Sequence, residues 1–283
     1  MRATFVLSTG RCGTQSLTKA IGQSLQGIAI VAHEPIREFY KPRLTLGRFN
    51  PAKNGNLAEA NTHFRQVVAT VMNGTEYVET GWPAFTWFEK FSRELGDRWR
   101  YIHLVRNPVH VAASFVTHGY YHENRSDRFP QFAILQPTDA GVIYPEIANG
   151  WRKLSVFDKC LYQWLEINAK AAAYAKAGLK PVAVVRFEQL FSAMPERDKL
   201  FDVLGWPRPT APMAHFDAFH FETTLPLKPT SATLWAKVEE LAATLGYEPS
   251  VLDESVEKLQ YNRPRIAGRT FESPFDSSAT RQS

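Results

Sequence analysis

Cysteine is scarce: the 283 residues hold only Cys12 and Cys160, far apart in sequence and without metal-ligand spacing. That excludes a disulfide framework and a cysteine-built zinc site, and it fits a reducing compartment. No apolar run is long enough to cross a bilayer, and no signal-peptide pattern separates Met1 from the first strand. The expectation is a soluble, cytoplasmic protein without a membrane span. Like charges never gather into a long block. The 33 Lys and Arg against 28 Asp and Glu leave a formal charge of +5 and a pI near 9.1, which suits anionic ligands. Because the basic residues are dispersed, a nucleic-acid partner is not expected. Internal repeats and low-complexity blocks are missing as well. A chain of this length, 44% hydrophobic, can bury one large core.

The most informative stretch is Phe5-Val6-Leu7-Ser8-Thr9-Gly10-Arg11-Cys12-Gly13-Thr14-Gln15-Ser16-Leu17, which reads as a buried strand, a tight turn and a helix start. Gly10 and Gly13 allow positive φ, and the amides of Gly13, Thr14, Gln15 and Ser16 would leave the first helical turn aimed at an anion. Arg11 adds a fixed positive charge. An ordinary strand-turn-helix crossover is the bland reading. A Walker A loop fits poorly, because Ser8 stands for its first Gly, Thr14 for its Lys and Gln15 for its Mg²⁺-binding hydroxyl. A dinucleotide fingerprint has Ser8 for its first Gly, with Glu34 near where a ribose-binding acid would stand. A hydrolase elbow lacks its first Gly in Val6-Leu7-Ser8-Thr9-Gly10.

The following elements are expected in order. A strand over residues 3–8 and a helix over 14–25 lead to Ile28-Ala29-Ile30-Val31-Ala32, an apolar run suited to a parallel strand covered on both faces, which delivers His33-Glu34-Pro35 to its carboxyl end. Residues 36–55 form a basic, turn-rich excursion with Arg37, Lys41, Arg43, Arg48 and Lys53. A helix over 57–72, a strand over 76–80 and an aromatic core segment with Trp82, Phe85, Trp87, Phe88 and Phe91 follow.

The second informative stretch runs from Arg100 to Ser114. Strand Arg100-Tyr101-Ile102-His103-Leu104-Val105 ends at Arg106, then Asn107 caps a helix with Pro108 at N1. Arg106 thus stands at a strand's carboxyl end, with Ser114 two turns into the helix; an Arg there can grip phosphate through paired hydrogen bonds, and an ordinary salt-bridged Arg with a helix serine is the bland reading. Glycine and proline then break the pattern over 117–151, a long excursion of the kind used as a lid or acceptor-binding loop. His118 and His122 have helical metal-pair spacing, but Gly119 intrudes and no third ligand appears; no metal is expected.

Farther on, the expected helix over 153–176 carries Leu154, Phe157, Leu161, Trp164 and Asn168 on one stripe, so Asn168 needs an interior partner. A strand over 181–186 leads to Arg186-Phe187-Glu188-Gln189-Leu190. Helices over 195–204 and 231–245 come next. From residue 263 a loose polar tail carries Arg263, Arg265 and Arg269.

These segments together resemble the sulfotransferases that use 3′-phosphoadenosine 5′-phosphosulfate, particularly their carbohydrate and bacterial branch, over most of residues 3–250. Arg11-Cys12-Gly13-Thr14-Gln15-Ser16 is similar to their 5′-phosphosulfate loop, with Cys12 a departure. Leu104-Val105-Arg106-Asn107-Pro108 with Ser114 is similar to their 3′-phosphate motif. His33-Glu34-Pro35, the pair Trp164 and Asn168, and Arg186-Phe187-Glu188-Gln189-Leu190 are weaker matches.

The resemblance implies an α/β fold: one domain over 1–262, a central parallel sheet flanked by helices in the P-loop-like manner, with the 117–151 insertion and a 263–283 tail. It implies sulfuryl transfer, without metal, from that donor to a hydroxyl or amine of a small-molecule or carbohydrate acceptor, leaving adenosine 3′,5′-bisphosphate. Arg11, Cys12, Gly13, Thr14, Gln15 and Ser16 would hold the 5′ end, and Arg106 and Ser114 the 3′-phosphate. The histidine base of the phenol and steroid branch has no counterpart, since the aligned segment reads Glu79-Thr80-Gly81-Trp82-Pro83, so the base passes to Glu34. A nicotinamide-dependent oxidoreductase and a non-catalytic nucleotide-binding protein are the alternatives.

Overall fold

The computed structural model describes residues 1–36, 56–122, 134–139, 141–192, 194–210, 213 and 225–266. The basic segment 37–53, residues 123–133 of the insertion and the chain from 267, with Arg269, lie outside the described residues.

Five strands, β1 Ala3–Leu7, β2 Ala29–His33, β3 Glu76–Thr80, β4 Trp99–Val105 and β5 Ala183–Arg186, form one parallel sheet in the order β2-β3-β1-β4-β5. The helices are α1 Thr14–Ser24, α2 Asn56–Met72, α3 Phe88–Leu95, α4 Pro108–Thr117, α5 Val156–Lys176, α6 Phe187–Ser192, α7 Met194–Leu204, α8 Ala232–Thr244 and α9 Pro249–Ile266. The expected α/β architecture is therefore present. Right-handed crossovers put α1 on one face of the sheet and α2, α3 and α5 on the other.

Strands β1 and β3 are buried along their whole length, as inner parallel strands covered by helices on both faces must be. Strand β3 carries two carboxylates into that interior, and both are satisfied there. Glu76 accepts from Arg100 Nη2 at 3.3 Å and from the Arg2 amide at 2.9 Å, while Glu79 accepts from the Tyr77 hydroxyl at 2.8 Å beside His63 Nε2 at 3.0 Å. The aromatic segment is core, with Phe88 and Phe91 fully buried.

Three expectations need correction. Strand β2 is not covered on both faces: it lies at the sheet edge, and Ile30 is 49% exposed. Its apolar run matched an inner strand, but the edge position is decided by which strands pair. Helix α5 has no single stripe, for nearly every residue from Phe157 to Asn168 is buried. It packs on α4, on α8 and, through Asn168 and His103, on the sheet. It also anchors the described part of the insertion, since Glu166 accepts from the Ile143 and Tyr144 amides and Gln163 Oε1 from the Leu135 amide. Finally, α9 continues through Ile266, past residue 263 where a loose tail is expected.

Chain direction creates the crevice. The crossover after β1 leads to β2 on one side, whereas that after β4 leads to β5 on the other. Neighbouring strands whose connections diverge leave an opening beyond their carboxyl ends, where ligands of open α/β sheets bind.

Candidate anion-binding site

The turn after β1 enters that opening. Gly10 (φ 79°), Arg11 (φ 57°) and Gly13 (φ 72°) all adopt left-handed backbone, a conformation that recurs in backbone anion nests. Ser8 Oγ braces the curl by accepting from the Gly10 amide at 3.2 Å. Gly13 is the N-cap of α1 and no side chain caps that end. Its lack of a side chain is required: a Cβ there would stand 2.7 Å from the Phe187 ring and 2.8 Å from the Phe191 ring. Cys12 turns inward, fully buried, its thiol donating to the Gly10 carbonyl at 3.2 Å, and burial pushes the thiol up to about 11. Cys12 therefore contributes backbone to the turn and no reactive sulfur.

The turn after β4 meets the first directly. Asn107 caps α4 by accepting from the Val109 amide at 2.9 Å, with Pro108 at the first helical position. Arg106, just before the cap, donates from Nη1 to the Arg11 carbonyl at 2.7 Å and lies 4.2 Å over the Phe187 ring. Its Nε is buried without a hydrogen-bond partner among the described residues. Ser114, two turns into α4, accepts from Arg11 Nε at 3.0 Å. The two arginine-bearing turns are thus joined on one sheet edge, with Ser114 attached to Arg11. Burial above all lowers the Arg11 pKa, and Arg106 lowers it further, against Tyr120 and Glu34, which raise it; an Arg stays charged regardless.

Glu34 arrives from β2. Its backbone is left-handed (φ 43°), its amide donates to the Thr80 carbonyl at 2.9 Å, and its carboxylate lies over Gly81 with Oε1 3.4 Å from the Trp82 amide. The segment aligned with a histidine base thus supplies the glycine that makes room for this carboxylate.

The weaker sequence matches turn out to be supports. Trp164 Nε1 donates to the Arg106 carbonyl at 2.9 Å, Glu188 Oε1 accepts from the Asn107 amide at 2.9 Å, and Asn168 bonds His103 at 2.8 Å. Gln15 is exposed, Ser16 half-buried and Thr14 buried at the start of α1. Sequence reasoning missed the role of Phe187, whose ring lies under Arg106 and against Gly13; the Phe after Arg186 was the signal available. His118 is turned to α4, with Nδ1 2.7 Å from the Ser114 carbonyl, and no group of three metal-binding side chains occurs among the described residues.

The fold and this edge define the chain as a parallel α/β protein with two coupled arginine turns at its switch point. Its structural neighbours are sulfotransferases. The sulfotransferase domain from the curacin biosynthetic pathway aligns over 92% of this chain and 98% of its own, with TM-score 0.43 and 16% identity. A sulfotransferase from Alicyclobacillus acidocaldarius aligns over 91% and 96%, with the same TM-score of 0.43 and identity of 16%. No family model and no curated protein matches the chain.

Proposed function

We propose that this protein transfers a sulfuryl group from 3′-phosphoadenosine 5′-phosphosulfate to a hydroxyl or amine of a small-molecule acceptor, the carbohydrate class resting on the Glu34-Pro35 resemblance. One observation carries the reading: Arg11, Ser114 and Arg106 are linked across the switch point, and the buried Arg106 Nε has a proton to give and no acceptor among the described residues. A buried donor in that state is costly unless a ligand oxygen meets it. The uncapped α1 terminus beside it fits a second anionic group.

The donor supplies the sulfur: its bond to the 5′-phosphate oxygen breaks, leaving the electron pair on that oxygen, as the acceptor oxygen bonds to sulfur. Arg11 and the amides of Gly13, Thr14, Gln15 and Ser16 neutralise charge growing on the departing phosphate oxygen. Cys12 adds its backbone to that loop. Arg106 and Ser114 hold the 3′-phosphate, which selects this nucleotide over ATP. Glu34 takes the acceptor's proton, a service typically worth about 10²–10⁴-fold. No metal has a role in this scheme. The residues 117–151 are assigned to the acceptor side, and the protein to the cytoplasm.

The strand order favours this over the dinucleotide alternative, in which β2 would neighbour β1; here β3 separates them. Adenosine 3′,5′-bisphosphate at 100 times its Kd should raise the unfolding free energy by about 2.7 kcal/mol, with NAD and ATP doing much less, and label from the sulfate donor should enter an acceptor library. Arg11→Ala should abolish transfer with the thermal transition retained. Selective stabilisation by NAD would overturn the reading, and bisphosphate binding without transfer to any acceptor would leave the non-catalytic alternative.

A further inference from the structure

The peptide group that joins Arg106 to Asn107 is gripped at both ends by side chains from distant parts of the chain. Its carbonyl accepts from Trp164 Nε1 on α5 at 2.9 Å, and its amide donates to Glu188 Oε1 on α6 at 2.9 Å. Because a peptide group is planar, holding both ends fixes the two torsions that border it, ψ of Arg106 and φ of Asn107. The next torsion is restricted too, since Pro108 disfavours helical backbone at Asn107, whose ψ is 123°. The side chain of Asn107 is equally placed: Oδ1 accepts from the Val109 amide at 2.9 Å, and Nδ2 donates to Ser255 Oγ on α9 at 2.9 Å. Ser255 gives its own proton to the Val251 carbonyl at 2.7 Å, which leaves its oxygen as the acceptor.

Glu188 is held in its turn. Its second oxygen accepts from the Tyr247 hydroxyl at 2.7 Å. Tyr247 closes the turn between α8 and α9, where its amide donates to the Ala242 carbonyl at 3.0 Å and Arg186 Nη1 donates to the Gly246 carbonyl. Burial first, then Glu188, raises the Tyr247 pKa, so the phenol stays a donor. The neighbouring Phe187 ring lies 4.2 Å from the Arg106 guanidinium. Helix α6 thus meets Arg106 twice, at its backbone through Glu188 and at its side chain through Phe187. All of this converges beside an arginine whose buried Nε has no acceptor among the described residues. Hydrogen bonds from a guanidinium to phosphate are directional, and their strength depends on how well the groups around them hold the arginine in place.

We propose that Glu188 is a positioning residue: with Trp164 it clamps the Arg106–Asn107 peptide, and this gives Arg106 its grip on a 3′-phosphate. The α8–α9 turn, through Tyr247, belongs to the same device. The link to a 3′-phosphate rests on the sulfuryl-transfer reading; the clamp does not.

Two nucleotides that differ only at that position separate positioning from general support. In Glu188→Ala the Kd of adenosine 3′,5′-bisphosphate should rise by about 10-fold, while that of adenosine 5′-phosphate should stay within about 2-fold. Glu188→Gln keeps an oxygen for the Asn107 amide, and Tyr247 can turn its hydroxyl to accept from the new amide, so binding should return to within about 3-fold of wild type. Tyr247→Phe removes only the donor that holds Glu188 and should weaken the bisphosphate alone, by about 3-fold, which keeps the question open to test if Glu188→Ala does not fold. Without ligand, the Arg106 Nε–H signal in arginine-labelled NMR, assigned by its loss in Arg106→Lys, should exchange with water about 10-fold faster in Glu188→Ala and nearly as slowly as wild type in Glu188→Gln. Equal losses for the two nucleotides overturn the proposal, as does an unchanged Arg106 exchange rate. If wild-type protein binds the bisphosphate no better than adenosine 5′-phosphate, the sulfotransferase reading fails, and faster exchange in Glu188→Ala still establishes the clamp.

Discussion

At Glu34 the chain adopts a left-handed backbone (φ 43°) directly after a strand, and Gly81 (φ 129°) leaves the space its side chain occupies; a Cβ at Gly81 would lie 2.1 Å from Glu34 Cγ. The carboxylate is therefore placed by two unusual backbone positions on two strands' ends, which supports the proposal that Glu34 is the base. Replacing Glu34 by Gln, which preserves shape and removes the proton acceptor, should lower kcat by about 10²–10⁴-fold. Stabilisation by adenosine 3′,5′-bisphosphate should be unchanged. Steady-state rates with the donor saturating decide this, and near-normal turnover would remove Glu34 from the mechanism. Glu34 was legible in the sequence because a strand pattern ended just before it. The dependence on Gly81 was not legible, because nothing local at either residue says that β2 and β3 pair.

At the level of elements, β4 with α4 was readable almost residue by residue: an apolar strand, then a capping Asn107 and Pro108 at N1 leave little freedom in where the helix begins. What α5 does there was not readable. Its Asn168, polar on a buried helix, accepts at Oδ1 beside His103 Nε2 on β4 and donates from Nδ2 to the Trp164 carbonyl at 2.8 Å, which sets Trp164 against the Arg106 carbonyl. Asn168→Ala leaves a buried imidazole N–H without its acceptor and should cost about 1–3 kcal/mol of unfolding free energy in urea titrations. Bisphosphate stabilisation should weaken as well, through Trp164 and Arg106. A stability loss within about 0.5 kcal/mol, the range of surface substitutions, would mean that this contact does not hold α5 to the sheet.

For the whole molecule, the same buried histidine makes folding sensitive to acid. Burial lowers His103 from 6.5 to about 4, with Asn168 pulling the other way. A histidine that is neutral in the fold but protonates near 6.5 when unfolded contributes stability that is complete above about 6.5 and is lost as pH falls toward about 4. The loss amounts to at most about 3 kcal/mol. Urea titrations at pH 7, 5.5 and 4.5 should show unfolding free energy falling in that window. His103→Gln, which can still hydrogen-bond Asn168, should flatten that part of the profile; an equally steep decline in the variant would assign it to carboxylates instead.

The local sequence alone determined most strands and helices, the left-handed glycine turn and the capped second turn. These follow from apolar periodicity, glycine's tolerance of positive φ and proline's fixed φ, all of which act within a few residues. Tertiary structure alone decided that β3 lies between β1 and β2, that β2 is an edge, that Ser114 attaches to Arg11 and that Glu34 lies over Gly81. Those outcomes depend on which strands pair and which helix faces meet, and they are contacts between residues distant in the chain, set by packing the whole core at once.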